Sequence, residues 1–257
     1  MPTALIVEDE PQANKLLAML LQLRGYQTES AFSGSEALEK IHHRAPDVVF
    51  LDLMLPDMDG YAVCRALKSP AGVSVIPVVI VTARLTAENR IESYAAGADD
   101  YVPKPYTPDQ IFEALEQSIA WKDHLDDPKL EGEVALDARD DGAALRELAQ
   151  LRRLLLSRCE MEPAAVEQIS TVIRSIWAGI DSWSRHRRQE RVATLTYSLT
   201  PQTLTLILRD EANWLASAHA EGSIWVPNDL FDEVSRDAAG HTLTLVKRCE
   251  PMAGGRG

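Results

Sequence analysis

Over the first 122 residues, short apolar runs alternate with stretches whose apolar positions recur at helical spacing. The runs are Ala4-Leu5-Ile6-Val7, Asp47-Val48-Val49-Phe50-Leu51 and Pro77-Val78-Val79-Ile80-Val81, with weaker ones at 26–30 and at Tyr101-Val102. Between them, Leu16, Leu17, Leu20 and Leu23 predict a first helix ending at Gly25, a residue suited to a left-handed cap. Residues 35–43, 61–67 and 87–96 predict three more, the last followed by Gly97, and Ile111, Leu115, Ser118 and Ile119 mark a fifth. Five strands alternating with five helices predict a (βα)5 doubly wound parallel sheet, covered on both faces. The central runs are apolar throughout, as strands buried on both faces require.

After Trp121 the pattern changes. Residues 124–131 form an acidic linker between a first domain, 1–123, and a second, 132–251, with 252–257 as a flexible tail. In the second domain, 133–137 predicts a strand and 143–159 a helix striped with Leu145, Leu148, Leu151 and Leu155. Pro163 opens a long helix to about residue 188, with Val166, Ile169, Val172, Ile173, Ile176, Trp177 and Ile180 on its apolar face. Alternating strands at 192–199 and 203–208 follow, joined as a hairpin at Pro201-Gln202. A short helix near 230–235 and a last strand at 242–247 close the series. Helices first and antiparallel strands later make a smaller α+β sandwich.

Composition changes little in this picture: 257 residues, 46% hydrophobic and 25% charged, are those of a globular chain of two domains. No window reaches the length of apolar sequence that a membrane helix needs. The N-terminus has no basic region before its short apolar run, so no secretory signal is expected and a cytoplasmic location is. Cys64, Cys159 and Cys249 pair in no metal or disulfide pattern. Charge is more informative. Residues 1–124 carry 10 Lys/Arg against 18 Asp/Glu, 125–142 carry 2 against 7, and the remainder is balanced at 14 each, for a net −13. Such a chain repels phosphate backbones, which disfavours nucleic acid as a partner. The cluster Arg185-His186-Arg187-Arg188 with Arg191 runs against the trend and reads first as a solvated helix end.

In a doubly wound sheet the site lies outside the carboxyl ends of the strands. Those ends carry Glu8 and Asp9, then Asp52, then Thr82, then Lys104. Three carboxylates converging on one pocket call for a hard cation, and Mg²⁺ with its oxygen ligands is the natural one. A neutralised carboxylate flanked by a hydroxyl and an ammonium can attack phosphorus.

The runs Ile6-Val7-Glu8-Asp9-Glu10, Asp47 to Gly60, Val81-Thr82-Ala83 and Gly97 to Tyr101 with Lys104-Pro105-Tyr106 resemble the receiver domain of two-component response regulators. The resemblance covers residues 1–122 and implies a flavodoxin-like fold for them. It implies that Asp52 is the phosphoacceptor and that the domain catalyses its own phosphorylation and dephosphorylation. It implies Mg²⁺ held directly by Asp9 and Asp52, through water by Glu8, and by the Met54 carbonyl. Thr82 and Lys104 would contact the phosphoryl group, and Tyr101 would be the switch aromatic that follows Thr82. The implied donor is a sensor histidine kinase or phosphotransfer protein. Met54 and Arg84 flank the path of an attacking water, and the apolar Met54 predicts a longer phosphoryl lifetime.

The second half has no Walker loop, nucleophile elbow or zinc-protease string. Its order of elements is similar to the GHKL ATPase fold, most of all to anti-sigma-factor serine kinases of partner-switching pathways; an unrelated α+β domain stays open. The residues of that chemistry are mostly missing. Ile173 and Trp177 stand where Glu and Asn belong, and Asp210-Glu211-Ala212-Asn213-Trp214 keeps the adenine-binding Asp210 but loses both glycines. The expectation is therefore a degenerate scaffold acting on an unidentified protein effector. The alternatives are an active ATP-dependent serine kinase or other enzyme, then a nucleic-acid-binding output. Trp177, Trp183, Trp214 and Trp225 read as core, with Trp183 the best candidate for a partner-facing surface. The acidic linker has no heptad repeat, so coupling is expected through the face of the fourth helix, fifth strand and fifth helix, by homodimerisation or by release of the second domain.

Overall fold

The computed structural model describes residues 1–68, 75–84, 86–120, 127, 129–137, 143–158, 161, 163–187, 191–200, 202–211, 214–215, 226–227 and 229–249. The chain divides into two compact units, Met1–Asp123 and His124–Gly257.

The first unit alternates β1 (Thr3–Val7), α1 (Pro11–Leu23), β2 (Gln27–Ala31), α2 (Gly34–His43), β3 (Val48–Leu51), α3 (Gly60–Lys68), β4 (Val78–Thr82), α4 (Ala87–Ala95), β5 (Asp100–Pro103) and α5 (Pro108–Ile119). The strands form one parallel sheet in the order β2-β1-β3-β4-β5. Every residue of β1, β3 and β4 is buried because both faces are covered. Leu5, Val49, Leu51 and Ile80 pack with Ile41, Val63 and Leu67 on one face, while Ile6, Phe50 and Val79 pack with Leu17, Leu21, Ile111 and Leu115 on the other. Helices α1 and α4 are followed by the expected Gly25 and Gly97, both with positive φ. The helix marked by Leu16, Leu17, Leu20 and Leu23 forms as α1, but its inner face is Asn14, Leu17, Leu20 and Leu21, while Leu16 and Leu23 are exposed. Asn14, Leu17 and Leu21 follow the i, i+3, i+7 spacing, so a polar Asn14 occupies an inward position of the helix.

The second unit contains β6 (Leu130–Asp137), α6 (Ala143–Arg158), α7 (Pro163–Arg187), β7 (Arg191–Leu199), β8 (Thr203–Asp210), β9 (Glu233–Arg236) and β10 (Thr242–Arg248). Its sheet is antiparallel throughout, ordered β6-β7-β8-β10-β9. Helix α6 packs on β6, and α7 on β6 and β7. The predicted leucine stripe of α6 and all seven apolar positions of α7 are buried. In β8, Leu204, Leu206 and Leu208 point inward while the residues between them are partly or fully exposed, as a sheet covered on one face requires.

Two boundaries differ from the sequence reading. The linker 124–131 ends early, because Leu130 and Glu131 already pair with Leu199 and Ser198. Leu130 is 8% exposed, so one buried leucine inside an acidic run is what starts the strand. The helix expected at 230–235 is instead a turn followed by β9, whose Val234 pairs with Leu245. All four residues of β9 are exposed. Backbone pairing with β10 holds this edge strand and leaves no periodic apolar signal. The side chains of Trp183 and the Arg185–Arg191 cluster, with Trp225, Ala212 and the tail 252–257, lie outside the described residues.

Candidate phosphorylation site

The parallel strands end on one side of the sheet, and the ends of four of them deliver its polar groups. Glu8 and Asp9 follow β1, Asp52 follows β3, Thr82 closes β4 and Lys104 follows β5. The site thus lies where the chain order reverses, outside β1 and β3. Backbone hydrogen bonds fix these ends against one another: the Asp52 amide donates to the Val7 carbonyl at 2.9 Å, and the Lys104 amide to that of Thr82 at 2.8 Å. Gly60 lets α3 start against the Asp52–Leu53 backbone, since a Cβ there would lie 2.4 Å from the Asp52 carbonyl oxygen. Any side chain would push the loop that follows β3 away.

Glu8, Asp9 and Asp52 bring carboxylate oxygens within 4.8 Å of one another. Glu8 and Asp52 are buried and Asp9 is exposed. The Lys104 ammonium lies 2.5 Å from both Asp52 Oδ2 and Glu8 Oε2. Burial raises the Glu8 pKa, against the hydrogen bond from Lys104. Burial works to lower that of Lys104, but its hydrogen bonds to Asp52 and Glu8 outweigh this and hold it above its ordinary value. Among the described residues, the Lys104 ammonium thus meets two of the three clustered carboxylates, Glu8 and Asp52, an arrangement short of positive charge.

The rest of the site is a cleft of about 590 Å³ lined by residues including Asp9, Met54, Asp57, Met58, Asp59 and Arg84. The Met54 amide donates to Asp52 Oδ1 at 3.1 Å, while its side chain is 54% exposed at the mouth. Thr82 is fully buried, and its hydroxyl accepts from the Arg84 amide at 3.4 Å. The half-buried Tyr101 donates its hydroxyl to the Arg84 carbonyl, linking β5 to the segment after Thr82. Arg84 also lies over the Tyr61 ring, 5.7 Å from its centroid.

Sequence reasoning missed two residues. Asp57 accepts from the amides of Gly34 at 2.8 Å and Ser35 at 2.9 Å, tying the cleft loop to the start of α2. Asn14 is 2% exposed and bonds to the end of β1. Its signal was available: an amide at an inward position of an amphipathic helix.

In the second unit, Asp210 is 7% exposed and accepts from the Leu215 amide at 2.7 Å. Trp214 is 2% exposed and packs on α7, where a Cβ on Gly179 would lie 2.9 Å from its ring. Ile173 and Trp177 are buried as well. Trp177 and Trp214 are therefore core residues.

Residues 4–116 match the response regulator receiver domain. Response regulator MprA of Mycobacterium ulcerans is 31% identical over 184 residues, 67% of this chain and 78% of its own. The transcriptional regulatory protein TrcR of Mycobacterium tuberculosis is 33% identical over 158 residues, 62% of this chain and 61% of its own. The chemotaxis response regulator CheY4 of Vibrio cholerae, a solved structure, is 28% identical over 46% of this chain and 98% of its own, with a TM-score of 0.44. With acidic, hydroxyl and ammonium groups at the ends of a five-stranded parallel sheet, and on the receiver match and the likeness to MprA, the chain belongs to the response regulators of two-component systems and carries their receiver domain at residues 4–116.

Proposed function

We propose that Asp52 accepts a phosphoryl group from a histidine kinase or phosphotransfer protein and that the second unit passes the signal on by binding a protein. The contact of Lys104 with both Asp52 and Glu8 carries this reading. A carboxylate oxygen of Asp52 attacks phosphorus, the new O–P bond forms, the P–N bond to the donor histidine breaks and the imidazole leaves with the electron pair. Lys104 is placed to follow its charge from the carboxylate to the phosphoryl oxygens. Thr82, buried beside it, would exchange the Arg84 amide for a phosphoryl oxygen. Tyr101, held by the Arg84 carbonyl, would register that movement.

Glu8, Asp9 and Asp52 fit Mg²⁺, since three carboxylates cluster there while the Lys104 ammonium pairs with Glu8 and Asp52. When bound, Mg²⁺ would balance charge on the carboxylates and on the transferring oxygens. The expected result is phosphorylation by acetyl phosphate that needs Mg²⁺ and is lost in Asp52→Asn.

For the second unit, the buried Trp214 against α7 and the engaged Asp210 support a scaffold without nucleotide chemistry, GHKL-like in the order of its elements. Titrating ATP into the Mg²⁺-saturated chain should give no calorimetric binding; micromolar affinity or turnover would make the unit an enzyme. The name of TrcR as a transcriptional regulator favours a second reading, nucleic acid output. A mobility shift of duplex DNA that persists at physiological salt would support it over protein binding.

A further inference from the structure

Buried amides inside helix–strand contacts are uncommon without a partner to satisfy, because an unmet polar group costs more than the bond is worth. Asn14, on the inner face of α1, has such partners. Its Nδ2 donates to the Glu8 carbonyl at 3.3 Å and reaches that of Ile6 at 3.5 Å, while its Oδ1 accepts from the Ser30 hydroxyl at 2.5 Å. Carbonyls only accept, so the amide nitrogen must face β1 and the amide oxygen must face β2. The Glu8 carbonyl lies beyond the last ladder pairs of β1, Val7 with Ala31 and Val7 with Leu51. The Glu8 amide still donates to the Ala31 carbonyl at 3.0 Å, so the clamp grips the other side of the same residue, its carbonyl, where the sheet ends. Ser30 is itself fixed, its carbonyl accepting from Lys40, whose ammonium is paired with Glu36 at 2.7 Å. From α2 through β2 to α1, this chain of contacts ends on the acidic loop.

We infer that Asn14 is a positioning residue for the cation site, holding the Glu8–Asp9 segment in the geometry that brings both carboxylates to Asp52. The inference rests on the Mg²⁺ reading of that acidic cluster. An amide suits the task because it donates to two carbonyls and accepts a hydroxyl with one rigid plane; an apolar residue would satisfy neither side.

The test is Mg²⁺ titration of the full chain by calorimetry, with acetyl phosphate phosphorylation followed across Mg²⁺ concentrations. Asn14→Ala should weaken Mg²⁺ roughly tenfold, the scale of lost outer contacts at metal sites. It should raise the Mg²⁺ needed for half-maximal phosphorylation by the same factor and leave the maximal rate near that of the wild type. A merely structural role would lower the rate at every Mg²⁺ concentration instead. Ser30→Ala frees only the amide oxygen, guards against a misfolded first variant, and should give a smaller shift of the same kind. Unchanged Mg²⁺ affinity in both variants beside a wild type that binds would overturn the positioning role alone. Absence of Mg²⁺ binding by the wild type would overturn it together with the reading of the cluster.

Discussion

Two side chains at the site set the sign of its responses. Lys104 neutralises Glu8 and Asp52 at 2.5 Å each, so it competes with any cation for them. Lys104→Ala should therefore bind Mg²⁺ no more weakly than the wild type, and more tightly if the competition is strong. The same change should abolish the structural response to beryllofluoride, because in the proposed phosphorylated state the ammonium would exchange its carboxylate partners for phosphoryl oxygens. Calorimetry and proton spectra of the two proteins check both halves. Asp57 gives a pH dependence. The Ser35 amide and hydroxyl and the Gly34 amide hold its pKa at about 2, below the ordinary 3.8. A depressed carboxylate stabilises the fold fully above 3.8, and that share is lost as the pH falls toward 2. In Asp57→Asn, the urea midpoint at pH 5 should drop, and its further fall between pH 5 and pH 2 should be smaller than in the wild type. An equal fall in both would mean that the loop anchor does not titrate.

At the scale of elements, the end of the sheet opposite the site is held by a buried ion pair. Lys68, at the end of α3, lies 2.7 Å from Asp99 Oδ2 and donates to the Ile76 carbonyl, while the Val78 amide donates to the same Asp99 oxygen. Both side chains are under 4% exposed. Removing one partner of such a pair costs about 3–5 kcal/mol, so Lys68→Met should destabilise the receiver by that order in urea unfolding. Mg²⁺ affinity of the folded protein should not change, because the pair sits at the start of β4 and the site at its end. Elements of this kind were legible where burial writes a pattern. The apolar runs of β1, β3 and β4, the leucines of α6 and the stripe of α7 fix which segments are inside. Motif residues at the strand ends were equally plain, because a doubly wound sheet has one place for a site. What the pattern could not give was β9, held by backbone bonds to β10, or the strand start at Leu130, one leucine in an acidic stretch. Asn14, Asp57 and Lys68 act through partners 6 to 31 residues away in sequence, and hydropathy carries no trace of those distances.

For the whole molecule, the proposed function asks the receiver to change what the second unit does, and phosphorylation would supply only its differential contacts, typically about 1–3 kcal/mol between sites. Two outcomes fit that scale: pairing of two chains through the face of α4, β5 and α5, or a changed hold on the second unit. Sedimentation and X-ray scattering with and without beryllofluoride should show a larger mass in the first case and an altered profile at constant mass in the second. No change in either would refute coupling through that face. All of this depends on the phosphoryl group residing on one carboxylate. The most direct measurement is borohydride reduction of the chain after treatment with acetyl phosphate and Mg²⁺, followed by peptide mass mapping. An acyl phosphate at Asp52 is reduced to the alcohol, so residue 52 should read as homoserine, only when Mg²⁺ is present, with Asp9 and Glu8 unaltered. Homoserine at any other position, or phosphorylated protein in which residue 52 remains aspartate, would contradict the account.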